Sequence, residues 1–155
     1  MKKFILSLLF YIMCMSVCFA ANIGSEQAAL SGIQVDATMN YVKKVYGEPE
    51  RSETSYDSRY GTNTTTWYYG KSVKIHFVEG YDGVNHVDSM TISANNGFAT
   101  TDGVTVGMNV DILQQIYGEP WLVRDESVYL YKTNGGAKLI FNTRDGIIRT
   151  ISLTY

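Results

Sequence analysis

Cysteine, proline and histidine are scarce in this sequence, and each shortage argues against a class of structure or functional site. The chain has two cysteines, two prolines and two histidines among 155 residues. Both cysteines, Cys14 and Cys18, lie in an apolar N-terminal stretch, so the rest of the chain offers no disulfide, thiol nucleophile or thiolate metal site. Few prolines and twelve tyrosines are typical of a sheet-rich globular protein and not of a disordered one.

Long apolar runs are lacking outside the first twenty residues. Lys2 and Lys3 precede an uncharged stretch from Phe4 to Phe19, which is shorter than the about 20 residues of a comfortable membrane span. We therefore expect residues 1–20 to be a signal peptide cleaved after Ala20 or Ala21, with an uncleaved anchor as the alternative. Large residues precede both cysteines, which disfavours a lipid anchor. We expect a periplasmic or secreted protein with no stable membrane anchor after cleavage.

An excess of positive charge is also lacking. The whole chain has a net charge of −2, and removal of Lys2 and Lys3 leaves 11 basic residues against 15 acidic ones. Nucleic-acid-binding domains need a basic face. The composition therefore predicts no nucleic-acid partner.

An internal repeat with a constant offset of 71 residues is present: Gly32–Pro49 matches Gly103–Pro120 without a gap. Later segments follow in the same order with shorter loops: Trp67–Tyr69 with Tyr129–Tyr131, Lys74–Phe77 with Lys138–Phe141, and Met90–Ile92 with Ile151–Leu153. We predict a first repeat at 21–93 and a second at 94–155.

Each repeat is predicted to contain a short helix. Thr38 and Asn109 are suitable N-cap residues, and apolar side chains recur at helical spacing after each of them. The Tyr-Gly-Glu-Pro sequence then ends both helices, since Gly47 and Gly118 adopt left-handed conformations readily and proline cannot continue a helix. Residues 25–30 are predicted to add a short extra helix.

Three strands are predicted after each helix, on the basis of alternating and β-branched residues. They are 65–69, 73–77 and 87–93 in the first repeat, and 128–131, 138–141 and 147–155 in the second. The fold class is therefore predicted to be α+β, with two tandem repeats that each pack a short helix (or two) on a roughly three-stranded antiparallel sheet. The two sheets are expected to pack side by side or to merge.

The segment from Ser52 to Thr64 is predicted to be the longest polar loop, with no equal in the second repeat. It is either a functional loop or a tolerated insertion.

The motif Gly103–Met108, followed by a helix and the Tyr-Gly-Glu-Pro stop, resembles the SmpA/OmlA (BamE-like) envelope domains and the β-lactamase-inhibitor-protein-like fold. The first repeat has Asp36 and Ala37 where the second has Gly107 and Met108. The resemblance implies a protein that binds envelope-assembly machinery or an enzyme target.

Aromatic residues are the best candidates for a recognition surface. Trp67, Tyr69, Tyr129 and Tyr131 recur in both repeats and are predicted to pack in the core. The others bury large areas at low entropic cost when they bind a partner. The candidate partner-binding residues are Tyr56, Tyr60, Tyr68, Lys74, His76 and Trp121.

Catalytic motifs are weak in this sequence. His86 with Asp82 and Asp88 could form a metal site, although solvated loop residues are the more ordinary explanation. We expect no enzyme activity, no cofactor and no metal. The predicted function is a non-catalytic, exported protein-binding module of the bacterial cell envelope. The alternatives are an inhibitor of a secreted or periplasmic enzyme and a small hydrolase.

Overall fold

A computed structural model describes residues 22–155, so the predicted signal peptide lies outside the described residues. Within these residues, two short helices and eight strands follow one another. The elements are α1 (Met39–Tyr46), β1 (Arg51–Asp57), β2 (Thr62–Tyr69), β3 (Val73–Glu79), β4 (Asn85–Ile92), α2 (Asp111–Tyr117), β5 (Leu122–Arg124), β6 (Val128–Lys132), β7 (Lys138–Arg144) and β8 (Ile147–Thr154).

The eight strands form one continuous antiparallel sheet in the order β1-β2-β3-β4-β8-β7-β6-β5. The prediction of two tandem repeats, each a helix packed on its own three-stranded sheet, is therefore wrong. Both helices are short, at eight and seven residues, and the sheet dominates the molecule.

The pairing of β4 with β8 merges the two halves of the sheet. Met90 lies opposite Leu153 and Ile92 opposite Ile151, so four apolar side chains meet across this seam. Thr91 lies opposite Ser152, and their hydroxyl oxygens are 3.0 Å apart. The halves join because each would otherwise expose the edge of its last strand, whose backbone groups and apolar side chains find matching partners in the other half.

The segment predicted to be a polar loop, Ser52–Thr64, consists largely of strand β1 and the start of β2. Six of the seven side chains of β1 are exposed, and the seventh is partly buried. A strand at a sheet edge needs no apolar face, because its neighbour holds it through backbone hydrogen bonds alone. Hydrophobic periodicity therefore gives no signal for it. The second half has a shorter equivalent in β5.

Both helices end where the sequence predicts. Gly47 and Gly118 have φ angles of 77° and 73°, and each donates its N–H to a carbonyl of the last turn. Thr38 caps α1 by accepting the Tyr41 N–H at 3.2 Å. Asn109 accepts the Asp111 N–H at 2.9 Å, but it lies two residues before the first residue of α2, and Val110 occupies the N-cap position. The predicted extra helix at residues 25–30 is wrong, since this segment forms turns.

One face of the sheet, the inner face, carries the core. The four repeated aromatic residues pack there as predicted: Trp67 and Tyr131 are buried, and Tyr69 and Tyr129 are partly buried against them. Val42 of α1 and Leu113 of α2 contribute buried side chains to the same core, which places both helices on the inner face. No helix within residues 22–155 is long and apolar enough to cross a membrane.

Candidate functional site

The outer face of strands β1–β4, opposite the helices, is polar. Side chains of β3 alternate between buried Val73, Ile75 and Phe77 and the more exposed Lys74 and His76. This alternation, which the sequence also shows, places Lys74 and His76 on the outer face. Antiparallel sheets commonly leave one face solvated in this way. The outer face is therefore available for contact with another molecule.

A groove of about 790 Å³, here called the β1–β4 groove, crosses this outer face. It is lined mainly by hydroxyl-bearing, charged and aromatic side chains. These are Glu53, Ser55, Tyr56, Asp57, Arg59, Tyr60, Thr64, Thr66, Tyr68, Lys74, His76, Asp88, Ser89, Thr91, Thr154 and Tyr155.

The tip of the β1–β2 hairpin, residues 58–61, forms one side of the groove. The Asp57 carbonyl accepts N–H groups from Tyr60 at 3.2 Å and from Gly61 at 2.9 Å, and Gly61 has a φ of 66°. The Arg59 guanidinium donates to both carboxylate oxygens of Asp57, at 2.6 Å through Nη2 and 3.1 Å through Nε. This hydrogen bonding lowers the pKa of Asp57 to about 2. The tip is therefore a compact turn held by a two-point ion pair.

Tyr60 reaches from this tip to the far side of the groove. Its hydroxyl donates to Asp88 Oδ1 of β4 at 2.7 Å, and its ring centroid lies 6.4 Å from that of His76. Partial burial and the hydrogen bond to Asp88 raise the pKa of Tyr60. The contact bridges the β1–β2 hairpin tip and β4 across the intervening strand β3.

His76 lies beneath this bridge, on the floor of the groove. Its Nδ1 is 3.0 Å from the Thr66 hydroxyl, while its buried Nε2 has no hydrogen-bond partner among residues 22–155. Burial lowers the pKa of His76, and the nearby charges of Asp88 and Arg59 act in opposite directions. A buried polar atom without a partner is uncommon and marks a place where a ligand or a rearrangement could supply one.

Tyr68 and Lys74 lie at the other end of the groove. The Arg51 guanidinium stacks on the Tyr68 ring at 3.7 Å, and the Tyr68 hydroxyl donates to Glu53 at 3.0 Å. That hydrogen bond raises the pKa of Tyr68. Lys74 is exposed and lies between Tyr68 and Thr91 in the sheet register. This end therefore combines an oriented aromatic ring with an accessible ammonium group.

The structure brings together five of the six predicted partner-binding residues. Tyr56, Tyr60, Tyr68, Lys74 and His76 all line the β1–β4 groove. The Tyr56 side chain projects from the other face of β1, because Tyr56 shares that face with Ser52, which lies opposite buried Trp67. Trp121 does not join them, because it precedes β5 at the opposite edge of the sheet. There its ring is 48% exposed and stacks with the Lys132 ammonium at 4.0 Å.

A second cavity of about 440 Å³ adjoins the groove and shares Tyr60, Asp88 and Tyr155 with it. Here His86 Nδ1 is 2.8 Å from the Asp36 carbonyl oxygen, and His86 Nε2 is 3.0 Å from Asp82 Oδ2. These two contacts raise the pKa of His86. Both ring nitrogens are occupied, so His86 has no free nitrogen to act as a base.

The sequence analysis missed several groove residues. Asp57, Arg59 and Asp88 were not among the partner-binding candidates, although they fix the hairpin tip and Tyr60. Asp88 was considered only as a ligand of a metal site. Thr154 and Tyr155 come from the last strand and enter the groove only because β8 pairs with β4. The one local signal for this part of the site was the adjacent pair of a charged and an aromatic residue, Arg59 and Tyr60, in the hairpin tip.

Within the described part of the chain, no group of three or more His, Cys, Asp or Glu residues is arranged to hold a metal ion. No protein family, no curated protein and no solved structure matches the chain. The resemblance to the SmpA/OmlA and β-lactamase-inhibitor-like groups therefore stays a prediction.

Proposed function

We propose that this protein is a non-catalytic binding module that recognises a protein partner through the β1–β4 groove. The observation that carries the proposal is the gathering of four candidate residues, Tyr60, Tyr68, Lys74 and His76, on one uncovered sheet face. Side chains presented by a sheet are positioned rigidly, so a binding surface made of them loses little entropy on association.

The chemistry of the groove suits a polar protein surface with a few aromatic anchoring points. Tyr60 is 40% exposed at one end of the groove, and Tyr68 lies at the other end. Tyrosine is favoured at interfaces because its ring buries area while its hydroxyl still makes a hydrogen bond. Between them lie hydroxyl groups that can donate or accept, such as those of Ser89 and Thr91.

The setting of this function is proposed to be the bacterial cell envelope or the exterior. The support is the N-terminal pattern of two lysines, an apolar stretch and small residues. The engaged state of both His86 nitrogens supports a non-catalytic role for the neighbouring cavity.

Site-directed photo-crosslinking in the native host tests the proposal. A benzophenone amino acid at Ser55 samples the groove, and the same group at Tyr41 samples helix α1, where Tyr41 is 47% exposed. We expect a protein adduct from position 55 that position 41 does not give. An adduct at both positions, or at neither, contradicts the proposal.

Charge and ring variants then show whether the captured protein depends on the groove. Lys74→Glu and Tyr60→Ala should abolish the adduct, while Tyr60→Phe separates the ring from its hydroxyl bond to Asp88. The matched control is Arg124→Glu, which reverses the charge of an exposed side chain in β5, far from the groove. If the captured protein is an enzyme that loses activity on binding, the inhibitor alternative is favoured over an assembly role.

A further inference from the structure

Strand β1 is an unprotected sheet edge. It has seven residues, contains no proline and pairs on one side only, with β2. Natural edge strands are usually short, bulged or covered, because their free N–H and C=O groups form a template for another strand. The opposite edge follows that practice, since β5 has only three residues.

The backbone geometry shows which groups of β1 are free. The Asp57 carbonyl accepts an N–H from the hairpin turn, so the polar groups of Asp57 face β2. Two residues earlier the Ser55 carbonyl accepts from the Thr64 hydroxyl of β2 at 3.4 Å, so the polar groups of Ser55 also face β2. Because the direction alternates along an antiparallel strand, the residues of β1 with even numbers face away from the sheet. Ser52, Thr54 and Tyr56 therefore present free N–H and C=O groups at the edge.

We propose that this edge pairs antiparallel with the same edge of a second copy of the chain, about a two-fold axis through Thr54. In this register Thr54 faces Thr54, and Ser52 faces Tyr56, which gives three pairs that each exchange two backbone hydrogen bonds. Arg51 of one copy then lies opposite Asp57 of the other. The sequence Arg51–Asp57 is thus complementary to itself when it is read in the opposite direction.

Charge selects this register among its neighbours. Centring the axis on Glu53 places two glutamates opposite each other, and centring it on Ser55 places Glu53 opposite Asp57. Like charges directly opposite one another destabilise a strand pair. Only centring on Thr54 uses the full length of β1 and brings no two acidic residues face to face.

The two-fold axis is perpendicular to the sheet, so the outer faces of both copies lie on the same side. The two β1–β4 grooves then border one common surface. A single pair of strands buries less than a standard interface of about 1,600 Å². The dimer is therefore weak and reversible, and its formation does not depend on the partner-binding role proposed above.

The test uses the protein as its expression host processes it from the full chain. Sedimentation velocity up to about 1 mM should show a concentration-dependent dimer. Thr54→Pro removes an outward N–H that makes no bond within the sheet, so it should abolish the dimer and leave the circular dichroism spectrum unchanged. The matched control is Val123→Pro in β5, which should dimerise like the wild type. A monomer at all concentrations, or a dimer that survives Thr54→Pro, overturns the proposal.

Two further measurements address the register. Hydrogen exchange by NMR should show protection of the Ser52, Thr54 and Tyr56 amides that rises with protein concentration, and unchanged protection of Glu53. Arg51→Asp and Asp57→Arg should each weaken the dimer by about 2- to 30-fold, because each pair occurs twice by symmetry. The double variant restores the pairs and should recover affinity, and a double variant weaker than both single variants overturns this register.

Discussion

His76 and His86 lie in opposite electrostatic environments, although both belong to the first half of the sheet. The imidazole of His76 is partly buried under Tyr60, and its Nε2 has no acceptor among the described residues. The imidazole of His86 lies between a backbone carbonyl and the carboxylate of Asp82. Burial without a partner favours a neutral ring, whereas two acceptors favour a protonated one.

Burial lowers the pKa of His76, so the free energy of unfolding depends on pH. An unfolded histidine takes up its proton near pH 6.5, and the folded protein does so only at lower pH. The contribution of His76 is thus fully present above pH 6.5 and is lost as the pH falls through 6.5 towards the folded pKa. We expect His76→Gln to flatten this acid limb in urea unfolding between about pH 7 and about pH 5. An unchanged slope would contradict the assignment.

The Asp36 carbonyl and Asp82 raise the pKa of His86, so its contribution to the free energy of unfolding depends on pH in the opposite direction. Its contribution is fully present below pH 6.5 and is lost as the pH rises through the folded pKa. An NMR titration of the two imidazole rings should place His86 above 6.5 and His76 below it. Asp82→Asn should lower the pKa of His86 and leave that of His76 in place. A pKa of His76 above that of His86 would contradict the contacts described for the two rings.

At the scale of the elements, two glycines end the helices in a conformation that other residues avoid. Gly47 has φ and ψ of 77° and −160°, and Gly118 has 73° and −152°. This region is essentially restricted to glycine, and an L residue there costs about 1–3 kcal/mol. A Cβ at either position would meet no atom within 4 Å, so the cost is in the backbone and not in packing.

Gly47→Ala and Gly118→Ala should therefore each lower the free energy of unfolding by about 1–3 kcal/mol. Gly135→Ala is the control, because Gly135 has no positive φ and a Cβ there would meet the Thr133 hydroxyl at an ordinary 3.7 Å. The measurement is urea unfolding followed by circular dichroism. Equal stability of all three variants would refute the strain at the helix ends.

Most elements could be predicted from the sequence because their signals are local. The helix ends at Gly47 and Gly118 follow from glycine conformation, and the buried–exposed alternation of β3 follows from the two-residue period of a strand. Strand β1 could not be predicted in this way, since an exposed edge strand has no apolar period. Strand β1 is recognised from its pairing with β2, which only the tertiary structure shows.

At the scale of the whole molecule, the β4–β8 pairing joins the two halves into one continuous sheet. Met90, Ile92, Ile151 and Leu153 are all fully buried beside this seam. If either half unfolded alone, the other would expose the edge of its last strand and these side chains to water. We therefore expect one cooperative unfolding transition and not two.

The two tryptophans report on the two halves separately. Trp67 lies in β2 and Trp121 before β5, and they are the only two in the chain. In Trp67→Phe and Trp121→Phe, the fluorescence midpoint of the remaining tryptophan should equal the circular dichroism midpoint of the same variant. A fluorescence midpoint at lower urea than the circular dichroism midpoint would mean that the halves unfold independently.

The candidate site shows the same division between local and tertiary information. Sequence reasoning chose Tyr56, Tyr60 and His76 from aromatic exposure and strand alternation, and all three line the groove. It also chose Trp121 on equal grounds, and the fold places that residue at the other edge of the sheet. Aromatic type alone does not show which residues converge.

The sequence by itself determined where the helices stop and which side chains of β3 face inward. These features depend on residues close together in the chain and on local conformational preferences. Only the tertiary structure decided that the halves share one sheet and that Tyr60 bridges to Asp88 over His76. The reason is that these contacts join residues far apart in the chain, and their energy depends on register and burial, which no local pattern encodes.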